Sequence, residues 1–135
     1  MEAVERAVRR ITGNDRFAKL VGVEIGEVRP GYARVTMTVE DKHLNSVDIT
    51  HGAAVFTLTD MAFALASNSH GQIALALNMS INFLKATRAG SVLTATATED
   101  KLTYRTGLYR ITVEDETGDV VSIAEGLVYR KKEEI

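Results

Sequence analysis

From Ile49 to Leu84 the chain runs for 36 consecutive residues with a single charged side chain, Asp60. A uniform scatter of its 34 Asp, Glu, Lys and Arg residues over 135 positions would put about nine there. Charge is kept out of places that lose contact with water, so this stretch belongs in a membrane or in a core. Thr50, His51, Thr57, Thr59, Ser67, Asn68, Ser69, His70 and Gln72 interrupt it, and a membrane span wants 18 or more apolar residues in a row. A core segment is therefore expected.

Its first part, from about Thr50 to Ser69, holds Ala53, Ala54, Val55, Phe56, Leu58, Met61, Ala62, Phe63, Ala64, Leu65 and Ala66. Ala, Leu and Met favour helix over strand. Apolar on nearly every side, this helix is expected to be buried, with Thr50 or Asp48 as its cap and Gly71 where the chain leaves it in left-handed geometry.

Shorter elements surround it. Val4, Val8 and Ile11, spaced by four and three among Glu5, Arg6, Arg9 and Arg10, describe an amphipathic helix ending near Gly13-Asn14. A second helical turn is allowed around Asp15–Leu20. Val21, Val23 and Ile25 alternate with polar or small residues, as do Ala33, Val35, Met37 and Val39 beyond the Arg29-Pro30-Gly31 turn, which predicts a β-hairpin. After the polar loop Glu40–Asp48 and the long helix, strands are expected at Ile73–Leu84 and Ser91–Asp100, flanking the Arg88-Ala89-Gly90 turn. Two more, Gly107–Glu114 and Val120–Tyr129, flank Asp115–Asp119, and the terminal Arg130–Glu134 run is expected to be solvated.

Helix, two strands, one long helix and four strands describe an α+β fold, an antiparallel sheet wrapped around a central helix, in a single domain over residues 1–135. Without Cys there is neither a disulfide framework nor a thiolate metal site. A formal charge of −2 and a pI near 5.9 argue against a general basic field for nucleic acid. The first residues, MEAVERAVRRITGN, contain acidic side chains and no apolar core of a signal peptide. A soluble, cytoplasmic protein with no membrane partner is expected.

Asp60 is the first chemical candidate. A helix Asp ordinarily faces water, but Phe56, Leu58, Met61, Phe63 and Ala64 leave little room for a wet face. An ionised carboxylate in such a setting costs several kcal/mol, on the order estimated for buried ions, unless it is compensated. A group kept there is often a base or nucleophile. The second candidate is Asn45–Gly52, NSVDITHG. Gly52 would present an unpaired N–H at the positive end of the helix, suited to a developing oxyanion. Eight residues separate Gly52 from Asp60, about 12 Å along a helix axis at 1.5 Å per residue. If both act on one carbonyl, one must come from a second subunit, which predicts a homodimer with antiparallel facing helices and two equivalent sites.

His43, His51 and His70 lack the paired spacing of a helical zinc site, so no metal is expected. No cofactor is called for. Lys85, Arg88, Lys101, Arg105 and Arg110 flank strands, where a solvated sheet edge is the ordinary reading. As a group they could hold the phosphates of coenzyme A. Phe56, with Leu58, Met61 and Phe63, could line a pocket for an aryl or medium acyl chain.

The segment LNSVDITHGAAVFTLTDMAFALASNSHG resembles the active-site region of the hotdog-fold acyl-CoA thioesterases of the phenylacetic acid degradation (PaaI) group, and NMSINFLKATRAGSVLTATA resembles the strand pair that follows. The resemblance spans about Phe17 to Arg130. It implies a hotdog fold and hydrolysis of (aryl)acyl-CoA, such as phenylacetyl-CoA or ring-hydroxylated relatives, to free acid and CoA. It implies that Asp60 is nucleophile or general base, that Gly52 of the partner subunit supplies the oxyanion N–H, that Asn45 orients water or thioester, and that His51 shapes the turn near the carbonyl. Lys85, Arg88 or Arg105 would contact CoA phosphates, and dimers would assemble into a homotetramer. Two departures stand out. The family commonly has Gly-Gly after the His, whereas Ala53 follows Gly52 here. A water-positioning Ser of the animal branch would align near Ala76, leaving that role to Asn78, a helix Thr or no residue. The alternatives are a hotdog acyl-CoA hydratase or dehydratase, whose usual Asp-x-Asn-x-x-His order NSVDITH does not supply, and a non-catalytic acyl-CoA-binding protein.

Overall fold

The computed structural model describes residues 2–135. In chain order it contains α1 (Glu2–Asn14), α2 (Arg16–Val21), β1 (Glu24–Arg29), β2 (Tyr32–Thr38), a 3-10 turn at Asp41–His43, α3 (Gly52–Asn68), β3 (Gln72–Phe83), β4 (Val92–Leu102), β5 (Thr106–Glu114) and β6 (Val120–Glu134). All pairings are antiparallel in one six-stranded sheet ordered β1-β2-β4-β5-β6-β3. This is the hotdog architecture, with α3 lying in the curl of the sheet.

Alternation decides which strand residues meet α3. Ala33, Val35 and Met37 of β2, Leu93, Ala95 and Ala97 of β4, and Tyr109, Ile111 and Val113 of β5 are buried, while their neighbours are more exposed. They close on Leu58, Phe63 and Leu65 of α3, each at most 1% exposed. Such side chains stabilise the fold by about 1.5–3 kcal/mol apiece. Phe63 meets Tyr109 edge to face at 5.8 Å and lies against Gly126 of β6, where a β-carbon would stand 2.6 Å from its Cζ. Only glycine at 126 lets the helix sit this close to the sheet.

Several expectations need correction. Val21 ends α2 instead of opening a strand, because Asp15 Oδ1 accepts from the Ala18 N–H at 3.0 Å and Gly22, at φ 93°, closes the helix. The strands flanking Arg88–Gly90 do not form a hairpin: β3 pairs with β6, while β4 pairs with β2 and β5. The residues between them run past the start of α3, where the Thr50 N–H donates to Thr87 O at 2.9 Å. Arg130–Glu134 continues β6, with Glu134 opposite Gln72, because β3 is long enough to pair with it, while Lys132, Glu133 and Glu134 stay exposed as expected.

Candidate active site

The helix α3 is buried on most of its surface but not all round. His51, Ala53, Phe56 and Asp60 are exposed, and Gly52, Thr57 and Ala64 are half-buried, so one stripe along the helix is open in the single subunit. The expectation that the helix leaves Asp60 little room for a wet face is thereby corrected. Local composition could not show that the sheet, curled around the other faces, leaves this one uncovered. Protein atoms nevertheless strip enough water from the Asp60 carboxyl to push its pKa above the usual carboxylate value, and the negative charge of Asp15 adds to the rise.

Neither Thr50 nor Asp48 caps the helix. The Thr50 hydroxyl is buried against that of Thr87 at 2.7 Å, and Asp48 takes a left-handed turn at φ 60°. The cap is His51, whose Nδ1 accepts from the Ala53 N–H at 3.0 Å. With Nδ1 held as acceptor, the neutral ring carries its proton on Nε2, an assignment made from the hydrogen bond. The N–H groups of Ala53, Ala54 and Val55 all find partners on His51. Gly52 N–H has none among the described residues.

Asn45 organises the preceding loop. Its Oδ1 accepts from Val47 N–H at 3.0 Å and Ile49 N–H at 3.3 Å, and its own N–H donates to Ile49 O at 2.8 Å. That leaves the side-chain amide NH2 as its available polar group. Asn45 and Gly52 border a concavity of ≈ 350 Å3 whose wall includes Val55, Phe83, Lys85 and Thr87. Phe83 and Thr87 are site residues that sequence reasoning missed. The one local signal was Phe83-Leu84 ending an apolar strand just before Lys85, the first charge after Asp60.

The proposed phosphate contacts separate. Lys85 Nζ lies 2.5 Å from Asp115 Oδ2 and 2.9 Å from Asp119 Oδ2. These hydrogen bonds push its pKa well above the ordinary lysine value, and the same contact holds Asp115 well below the carboxylate range, so the ammonium stays charged and is shared by two carboxylates. Arg88 lies exposed beside Thr87 with no ion pair among the described residues. Arg105 sits at the β4–β5 turn, its Nη1 donating to Arg130 O at 2.9 Å and its guanidinium 4.3 Å from the Tyr104 ring centroid. Eight residue steps of β5 separate that turn from the Asp115 end, roughly 26 Å at a strand's rise, so Lys85 and Arg105 do not share a site within one subunit. The two remaining histidines do other work. His43 is buried, taking the Glu40 N–H on Nδ1 and donating from Nε2 to Val21 O. His70 reaches Glu99 at 2.6 Å.

Residues 48–122 match the model of the thioesterase superfamily. A protein of Archaeoglobus fulgidus is 41% identical over 133 residues, covering 98% of this chain and 86% of its own length. The acyl-coenzyme A thioesterase PaaI of Escherichia coli is 39% identical over 117 residues, 87% of this chain and 84% of that one. The solved E. coli PaaI structure superposes with a TM-score of 0.95 at 35% identity, covering 99% of this chain and 97% of that one. A Streptococcus pneumoniae protein described as a hypothetical thioesterase, solved with coenzyme A, superposes with a TM-score of 0.87 at 26% identity over 94% of this chain and 99% of its own.

Proposed function

The chain belongs to the thioesterase superfamily, among the hotdog-fold thioesterases of the PaaI group, and from that membership we propose that it hydrolyses acyl-CoA thioesters, with arylacyl-CoA such as phenylacetyl-CoA or its ring-hydroxylated relatives as substrate, to free acid and CoA. The observation that carries this reading is the open stripe of α3, on which Gly52 offers an unpartnered N–H at the positive helix end and Asp60 a carboxylate about two turns on. The activity in the name of the E. coli relative and the coenzyme A held by the S. pneumoniae protein support it.

In one subunit the two groups stand about 12 Å apart along the axis, too far for a single carbonyl. In a homodimer with antiparallel facing α3 helices, Gly52 of one protomer meets Asp60 of its partner, and the two-fold axis creates two such sites. The edge strand β3 supports the dimer. Across Gln72–Phe83 it carries no charge, and Leu75 and Leu77 are 53% and 60% exposed. Unpaired, a long apolar edge invites aggregation; paired with a second β3, it would continue the sheet. Such dimers would assemble further into a homotetramer.

Hydrolysis then needs few groups. Asp60 takes a proton from water as the water oxygen attacks the thioester carbon, and the developing oxyanion rests on the Gly52 N–H. Collapse breaks the carbon–sulfur bond, and the proton held by Asp60 passes to the CoA sulfur. Direct attack by Asp60, giving a mixed anhydride that water opens, uses the same carboxylate. Asn45 contributes through its amide NH2 and His51 through Nε2–H, both donors toward the carbonyl or the attacking water. Arg88, exposed beside Thr87, would contact a CoA phosphate.

The test is a panel of acyl-CoA esters with a thiol reagent, for the wild type and Asp60→Asn. Thiol release that collapses in the variant supports hydrolysis at Asp60. An absorbance change without thiol would indicate hydration instead, and binding with neither would indicate a carrier.

A further inference from the structure

Phe56 stands midway along α3 between Gly52 and Asp60. A two-fold axis that sets Gly52 of one protomer opposite Asp60 of the partner subunit passes through that midpoint, so Phe56 faces its own copy across the axis. Direction agrees with distance. At 3.6 residues per turn Gly52 and Asp60 point about 80° apart around the helix, and Phe56 bisects that angle, about 40° from each. The residue is 38% exposed on the open stripe of the single subunit. Resting on the thioesterase reading with its shared site, we propose that Phe56 is a positioning residue: the two rings meet on the axis, hold the α3 helices apart and so set the gap between each Gly52 N–H and the Asp60 carboxylate of the partner subunit.

A second copy of this chain is the occupant that fits the stripe. β3 runs beside α3 along its length: the Phe83 ring lies against Gly52 at one end, and at the other Asn68 Oδ1 accepts from Ala74 N–H at 2.9 Å. The stripe therefore adjoins an edge strand that carries no charge from Gln72 to Phe83. A copy that pairs its β3 antiparallel at that edge brings its own α3 antiparallel onto the stripe, and one contact covers both Phe56 and the open edge.

Bulk on the axis has a use. Packed helices lie about 8–10 Å apart, the side chains at the contact deciding where in that range. Paired aromatic rings keep their centroids about 4.5–7 Å apart, which holds the helices at the wide end. A thioester carbon and a water must fit between donor and base on either side of the pair, about 6 Å along the helix from it. Without the rings the helices close on that space, and a shift of about 1 Å at the reacting atoms is enough to lose most of the rate. Such a spacer acts on the reacting carbon and not on the acyl group, so its loss slows every ester alike.

The chain has no cysteine, so a single introduced one reports position directly. Under mild oxidation Phe56→Cys should form a covalent dimer on non-reducing electrophoresis. Asp60→Cys should not, because its own copies stand about 12 Å apart along the axis, beyond the Cα separation of about 7 Å that a disulfide bridges. The kinetic arm measures thiol release from acetyl- and phenylacetyl-CoA by the wild type, Phe56→Ala and Phe56→Leu. Phe56→Ala should lower kcat about 100-fold for both esters with KM little changed, the scale of a reacting group misplaced by 1 Å. Phe56→Leu keeps apolar bulk and a good helix former; its oligomer should persist on size exclusion and its kcat should fall between the other two. Should Phe56→Ala fail to assemble, that intermediate kcat carries the test. A covalent dimer of Asp60→Cys, or none of Phe56→Cys, overturns the placement on the axis. Wild-type kcat in Phe56→Ala, or in Phe56→Leu where the Ala variant does not assemble, overturns the spacer, as does a loss confined to phenylacetyl-CoA, which returns Phe56 to an acyl pocket. In each of these cases thiol release by the wild type leaves the thioesterase reading standing. A wild type that releases no thiol from either ester overturns that reading and the positioning role with it, whatever the cross-link shows.

Discussion

The ring of Phe83 stands over Gly52: a β-carbon on Gly52 would lie 3.4 Å from its Cζ and 3.6 Å from its Cε1. The spacing is close enough to cover one side of the half-buried glycine with an aromatic ring and wide enough to admit a methyl without a clash. Gly52 does not occupy left-handed backbone, so alanine fits conformationally as well.

Gly52→Ala should therefore separate stability from activity. Alanine favours helix over glycine by up to about 1 kcal/mol, and thermal unfolding should show an equal or higher midpoint. The methyl takes the space between Phe83 and the N–H through which a carbonyl must approach. We expect kcat/KM to fall about 100-fold, the scale of a reacting group misplaced by 1 Å. Wild-type turnover in this variant would remove Gly52 from the site.

Asp60→Asn should lower turnover by about 10^2- to 10^4-fold, the range for loss of a general base, with the oligomer preserved by size-exclusion chromatography. Its stability effect has a definite sign. A carboxyl whose pKa is raised in the folded state holds its proton more tightly there, so stability falls as pH rises from the ordinary value of 3.8 through the raised one. Calorimetry at neutral pH should give the Asn variant the higher midpoint, and the gain should vanish at about pH 3, where both states bind the proton.

The same rise should appear in the rate. The acid limb of kcat/KM against pH should titrate above 3.8. Asp15→Asn should move it downward, because a neighbouring negative charge disappears while the amide oxygen still caps α2. An unmoved limb would show that Asp15 does not act on the catalytic group.

His51 anchors the start of α3 through Nδ1. His51→Ala should lower stability by about 1 kcal/mol, as lost caps do, and His51→Asn should recover most of it. Activity restored along with stability by Asn would assign His51 to capping; stability restored alone would assign Nε2–H to the reaction.

Arg88 and Lys85 should differ although they lie three residues apart. Arg88→Ala should raise KM for acyl-CoA about tenfold, the scale of one charge-assisted contact, and weaken the salt dependence of KM. Lys85→Ala should act mainly on thermal stability, since its ammonium holds Asp115 and Asp119 together. The reverse pattern in steady-state kinetics would return Lys85 to the phosphate site.

The long helix and the antiparallel strands were legible in the chain because they rest on local periodicity and on one charge-poor run, and the hotdog fold was implied by the resemblance of the segment around Asp60 to the PaaI group. The Gly52–Asp60 spacing was equally legible, being counted residues times a fixed rise, and the proposal of a second subunit rests on it. Long-range partnership was not. His51 rather than Thr50 caps α3 because Thr87, 37 positions away, takes the Thr50 hydroxyl. Lys85 is ion-paired because Asp115 and Asp119, 30 and 34 positions on, meet it in the folded chain. β3 becomes an edge because β6, not the adjacent β4, pairs with it. Local pattern specifies what each segment is, through backbone propensity and the side-chain period. Which side of α3 stays open, and which polar group satisfies which, depends on segments that meet only once the sheet has closed around the helix.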